Sequence, residues 1–112
     1  MEKITHYREI IKSILHAHVY PPTRHIDEYE AQVVMDEPRD HYYLMKIGWD
    51  GQKRLHGCTL HFDIKNGKIW IQEDWTEEGV IDELLNAGVP PEDIVPSYRS
   101  PEVRKHLGLA VS

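Results

Sequence analysis

His56, Cys58, His61 and Asp63 fall within one eight-residue stretch, and theirs are side-chain types that activate a nucleophile or hold a metal ion. An imidazole beside a thiol lowers the thiol pKa and takes its proton, and His, Cys and Asp are all zinc ligands. The spacing argues against both chemistries. Side chains alternate along a strand, so His61 and Asp63 share one face while Cys58 shares the other with Leu60, Phe62 and Ile64. A cysteine among such neighbours is expected to be a small buried hydrophobe. His56, His61, Asp63, Glu73 and Asp74 match no zinc or di-iron spacing. Nor does the chain contain a Gly-rich phosphate loop, a nucleophile elbow or a Ser/His/Asp order. The expectation is a non-enzyme with no metal or cofactor. Its rival is a small metal- or thiol-dependent enzyme built on His56, Cys58, His61 and Asp63.

Two tight turns position these residues. Asn66-Gly67 lies between Ile64 and Ile69, and Asp50-Gly51 follows the strand-forming run Tyr42 to Trp49. Asn, Asp and Gly tolerate the positive φ of a type I′ turn, so both read as β-hairpins. With Asn66-Gly67 at the tip, Ile64 faces Ile69, Phe62 faces Ile71, Leu60 faces Glu73 and Cys58 faces Trp75 on a core face. The opposite face pairs Asp63 with Trp70, His61 with Gln72 and Thr59 with Asp74, and it is polar apart from one indole. In the other hairpin a two-residue turn at Asp50-Gly51 sets Ile47 against Arg54 and strands Leu55 on the polar face. A bulge at His56-Gly57 would bring Met45, Ile47, Leu55 and Cys58 into the core.

The remaining elements follow from periodicity. Ile4, Tyr7, Ile11, Ile14 and Leu15 recur at helical spacing, predicting an amphipathic helix from Lys3 to about His18 that ends at Pro21-Pro22. Tyr29 to Asp36 alternates as a half-buried strand, and Glu37-Pro38-Arg39-Asp40 is a turn. Thr76 caps a second helix with Glu77 and Glu78 at its positive end, Val80, Ile81, Leu84 and Leu85 as its stripe, and Gly88 closing it. Pro91 to Asp93 reads as one helical turn, and Ser100-Pro101 as the start of a last short helix. The fold class is therefore α+β: one domain over residues 1–112, an antiparallel four-stranded meander flanked by an N-terminal helix and a C-terminal helix plus short helical turns.

Composition narrows function. No apolar run approaches the roughly 20 residues that cross a bilayer, the start lacks a signal peptide's apolar centre, and a lone cysteine suits a reducing compartment. A cytoplasmic location with no membrane contact is expected. A net charge of −6 opposes phosphate binding, so strong autonomous nucleic-acid binding is not expected. A basic patch at the hairpin tips, Lys53, Arg54, Lys65 and Lys68 with Lys46 nearby, is the local exception, although hairpin tips are commonly just solvated and charged. On the polar face His61, Asp63, Trp70 and Gln72 form the candidate partner-binding set, because an indole among hydrogen-bonding groups anchors interfaces; the alternative is that Trp70 packs beneath a helix or loop.

Several stretches together resemble one family: Gly48-Trp49-Asp50-Gly51, Arg54 with His56-Gly57-Cys58, His61 with Asp63-Ile64, Gly67-Lys68-Ile69-Trp70-Ile71-Gln72, Thr76-Glu77-Glu78-Gly79, Ala87-Gly88-Val89-Pro90, Asp93-Ile94-Val95 and Pro101-Glu102-Val103-Arg104. In this order the chain resembles the XisI family, small controlling factors of fdxN element excision in heterocyst-forming cyanobacteria. Similarity is lowest over Pro21 to Glu30. Pro96 replaces an expected aliphatic residue and Leu109 an expected aromatic, so looser packing of the tail is anticipated. The resemblance implies a factor that acts with a XisH-like protein to control a site-specific recombinase without being the recombinase. Two mechanisms fit it: an adaptor in the excision complex, or an antitoxin-like inhibitor whose acidic surface covers a nuclease-like XisH partner. A homodimer is a further possible association.

Overall fold

The computed structural model describes residues 2–19 and 29–112. Helix α1 (Glu2–Ala17) turns Tyr7, Ile10, Ile11, Ile14 and Leu15 into the core. The expected stop at Pro21-Pro22 lies outside the described residues. Strands β1 (Tyr29–Asp36), β2 (His41–Asp50), β3 (Lys53–Lys65) and β4 (Lys68–Asp74) pair antiparallel in chain order. Tyr42, Leu44, Leu60, Phe62, Ile64, Ile69 and Ile71 line the inner face beneath α1 and α2 (Ile81–Asn86), together with Val80 and Leu84.

The four-stranded meander is as expected, but the sheet has a fifth strand. β5 (Ile94–Pro96) adds to β4 in parallel, Ile69 opposite Ile94 and Trp70 opposite Val95. Three residues ending in proline give no periodic signal, and Pro96, which lacks an N–H, sits buried on this edge strand. The tail is not loose there. Leu109 packs against the core, and the Ala110 N–H donates to the Ile94 carbonyl at 3.0 Å. Helix α3 (Pro101–His106) starts as read, the Ser100 hydroxyl accepting from the Val103 N–H.

Turn chemistry sets both hairpins, with one correction. Asn66 and Gly67 have φ of 56° and 76°, as type I′ requires. The β2–β3 turn instead centres on Gly51 and Gln52, closing Asp50 against Lys53 with only Gly51 at positive φ. Each strand pair then carries one extra residue. On β3 it is Thr59, between pairs Leu44–Leu60 and Met45–Cys58, rather than His56-Gly57. On β4 it is Gln72, between Phe62–Ile71 and His61–Glu73, so Leu60 faces Asp74 rather than Glu73.

The first of these bulges overturns the expected placement of Cys58. Met45 and Ile47 alternate with buried Leu44 and Gly48, and they pair with Cys58 and His56 on the outer face. Of the four residues expected to enter the core together, Leu55 alone points inward. The helix start is corrected too, because Thr76 to Gly79 form a loop and α2 begins at Ile81 with Val80 as its cap. Asp74 organises that loop, its carboxylate accepting from the Thr76 N–H (3.0 Å), the Thr76 hydroxyl (2.5 Å) and the Val80 N–H (2.8 Å). Gly88 closes α2 at φ 101°. Among the described residues no helix is long and apolar enough to cross a membrane.

Candidate functional site

Asp63 gathers the polar outer face around its carboxylate. One oxygen lies 2.7 Å from His41 Nδ1 and 2.8 Å from His61 Nε2, and the other accepts from the Gln72 side-chain amide at 3.1 Å. Ser97 continues the chain of bonds, its hydroxyl donating toward the Gln72 carbonyl oxygen at 2.5 Å. Burial raises the Asp63 pKa, but hydrogen bonds from His41, His61 and Gln72 together outweigh it and hold the carboxyl below its ordinary value. Tyr43 stacks on the His61 ring at 4.2 Å, fixing its plane from the neighbouring strand.

Of the four residues read as a partner surface, His61, Asp63 and Gln72 are thus one hydrogen-bonded unit, and Trp70 is opposite Asp63 in the register. Trp70 is half-buried on this outer face, not packed beneath α1. Its ring N–H donates to the Lys65 carbonyl at 3.2 Å, and the Lys65 ammonium lies 4.0 Å from the ring centroid. The expected pairing of His61 with Gln72 is replaced by a diagonal through Asp63, because Gln72 is the bulged residue.

Sequence reading missed His41 and the apolar half of this face. His41 is opposite Asp63 only once β2 and β3 are in register, and local spacing carries no such signal. Tyr43, Met45, Ile47 and Cys58 form a half-buried stripe on the same outer face, so it is less polar than the pattern implied. Trp49 at 47% and Trp75 at 75% exposure are both more open than Trp70.

The thiol and metal alternatives fare differently. Cys58 shares a face with His61 after all, yet its thiol donates to the Leu60 carbonyl (3.0 Å). Burial, with the Glu73 carboxylate nearby, pushes its pKa up to about 11. Such a group is protonated at neutral pH and is no nucleophile. His56 is exposed at the far end of β3 from Asp63 and among the described residues joins no ligand cluster; Glu73 and Asp74 bond to Trp75 and to the α2 loop.

The basic residues do not form one patch. Lys53 and Arg54 begin the 13-residue strand β3, and Lys65 and Lys68 lie at its other end. At a rise of about 3.3 Å per residue the two tips are of the order of 40 Å apart. Arg54 lies 5.3 Å from the Trp49 ring centroid, and Lys68 donates to the Ser112 carbonyl at 2.5 Å.

A family model described as XisI protein matches residues 1–111. No curated protein sequence matches the chain. Two crystal structures from Anabaena variabilis ATCC 29413 share its fold. One is a XisI-like protein, 37% identical, with a TM-score of 0.84 and an alignment covering 95% of this chain and 96% of that one. The other is the fdxN element excision controlling factor XisI, also 37% identical, with a TM-score of 0.82 over 98% of this chain and 99% of that one. The matched region takes in the hairpins, the outer-face network and the C-terminal tail, and the chain belongs to the XisI family.

Proposed function

We propose that this chain is a non-catalytic controlling factor for programmed excision of a DNA element, acting through contact with a XisH-like protein. The name of one similar structure, an fdxN element excision controlling factor, supports the role. The contact reading rests on one observation: the outer sheet face sets Tyr43, Met45, Ile47 and Trp70 beside His41, His61, Asp63 and Gln72, while α1 and α2 spend their apolar sides on the inner face. Aromatic and thioether side chains among satisfied polar groups have the composition of a protein interface.

Co-expression with a XisH-like protein followed by size-exclusion chromatography tests this. The two chains co-elute, and Trp70→Ala weakens the complex by about 2 kcal/mol or more, as truncating an interface anchor does. Phe62→Ala is the contrasting variant. It empties a fully buried core site and costs about 3–5 kcal/mol of folding stability, more than Trp70→Ala costs the monomer. Separate elution, or a complex indifferent to Trp70 whose contacts map elsewhere, would refute the surface. The net charge of −6 favours a second reading of the same contact, an acidic cover over a basic nuclease-like XisH site. In that case adding this chain suppresses cleavage by the partner, whereas an adaptor leaves cleavage unchanged.

A further inference from the structure

We propose that His41, His61 and Asp63 form a binding site for one borderline divalent cation, zinc foremost. Three facts converge on it. One ligand atom from each of the three lies within 4.8 Å of the others, and His41 Nδ1 and His61 Nε2 both meet the same Asp63 carboxylate oxygen. They come from two adjacent strands in fixed register, so the site is built on sheet rather than loop. The shell behind them is in place as well: Gln72 holds the second Asp63 oxygen, Ser97 holds Gln72, and Tyr43 holds the His61 ring. Such partners orient metal ligands and raise affinity.

Two imidazoles and one carboxylate select among ions. Calcium and magnesium prefer all-oxygen sites, whereas imidazole suits zinc, nickel and copper. The His–Asp separations of 2.7 and 2.8 Å belong to hydrogen bonds. At metal–ligand distances of about 2.0–2.1 Å a tetrahedral ion sets its ligand atoms about 3.3–3.4 Å apart, so binding opens each His–Asp separation by about 0.6 Å and brings the two ring nitrogens to the same spacing. An uncharged imidazole facing a carboxylate oxygen at these distances donates its N–H to it. On binding, that proton moves to the far ring nitrogen, Nε2 of His41 or Nδ1 of His61, and the freed lone pair faces the ion. No net proton is released. Among the described residues the ion-pair partners of Asp63 are these two imidazoles, so with both neutral the cluster carries one negative charge toward the cation. The His41 side chain is 39% exposed, which leaves a way in and an open coordination position for water or another ligand. Binding the ion needs no partner protein.

Zinc chloride titrated into the isolated full-length chain at pH 7.5 tests the site by calorimetry, with His41→Gln, His61→Gln and, as the control, His106→Gln. The expected result is one saturable site per chain, weakened at least tenfold in either of the first two variants, unchanged in the third, and silent to magnesium. A circular-dichroism melt checks each fold. Should His41→Gln or His61→Gln unfold, histidine-ring NMR of the unsubstituted chain decides: zinc at equimolar ratio shifts the rings of His41 and His61 before the other six histidines. Absence of a saturable site, affinity indifferent to His41 and His61, or first shifts at other histidines would each overturn the assignment.

Discussion

Asp40 ties α1 to the sheet. Its residue adopts a left-handed backbone at φ 58°, and its carboxylate accepts two hydrogen bonds from Arg8, at 2.8 and 3.1 Å, and one from the Tyr42 hydroxyl at 2.8 Å. The bonds from Arg8 first, and from Tyr42, hold its carboxyl below the ordinary range against the opposing effect of burial. An unfolded chain has no such partners, so in acid it takes up a proton at Asp40 before the folded chain does. Stability from this group is complete above the ordinary carboxylate pKa and is lost as pH falls through the folded value. Urea unfolding from pH 7 to pH 3 should therefore show a shallower acid loss for Asp40→Asn than for the unsubstituted chain; equal slopes would remove Asp40 from the account. Residues like this one were poorly legible in the sequence, since Asp40 read as a turn residue and its partner Arg8 stands 32 positions away. Asp63 divides the same way. Its link to His61 follows from a spacing of two, while its link to His41 depends on a register that no local pattern reveals.

Elements were legible where a backbone requirement is local. Asn66-Gly67 announces its own turn, and β1 was bounded correctly at Tyr29–Asp36 by alternation. The bulged residues Thr59 and Gln72 were not legible, because an extra residue exists only relative to a partner strand. The bulge at Thr59 is what carries Cys58 from the expected core to the outer face. The start of α2 failed for a related reason: Thr76 looks like a cap, but Asp74 occupies its hydroxyl and the Val80 N–H, so the chain makes a loop before the helix begins. Asp74→Ala should thus cost about 1–3 kcal/mol in thermal or urea unfolding, the usual cost of leaving such donors without their acceptor. Thr76→Val, which loses the hydroxyl and keeps the carboxylate's bond to Val80, should cost less. The reverse order would show that Thr76 and not Asp74 sets the helix start.

Among the described residues the molecule is a sheet whose inner face is covered by α1 and α2 and whose outer face carries no helix, inside an envelope of 42 × 30 × 24 Å. Its basic tips lie at opposite ends of β3, so neither end concentrates enough cation to offset the net charge of −6. Fluorescence anisotropy with duplex DNA should show weak binding that disappears as salt rises through the physiological range; tight sequence-specific binding by the chain alone would contradict this. The order of strands also has a consequence in time. β1 to β4 pair neighbour to neighbour across short turns, whereas β5 reaches β4 only after residues 75–93 have been laid down as loop and helix. Local pairings close small loops and form early, and the parallel addition waits on the larger loop. Ile94 is fully buried on the late strand. Contacts absent from the folding transition state slow unfolding without speeding folding. In a stopped-flow chevron, Ile94→Ala should therefore raise the unfolding arm and leave the folding arm nearly in place, making β5 the latch that sets how long the native sheet persists once formed.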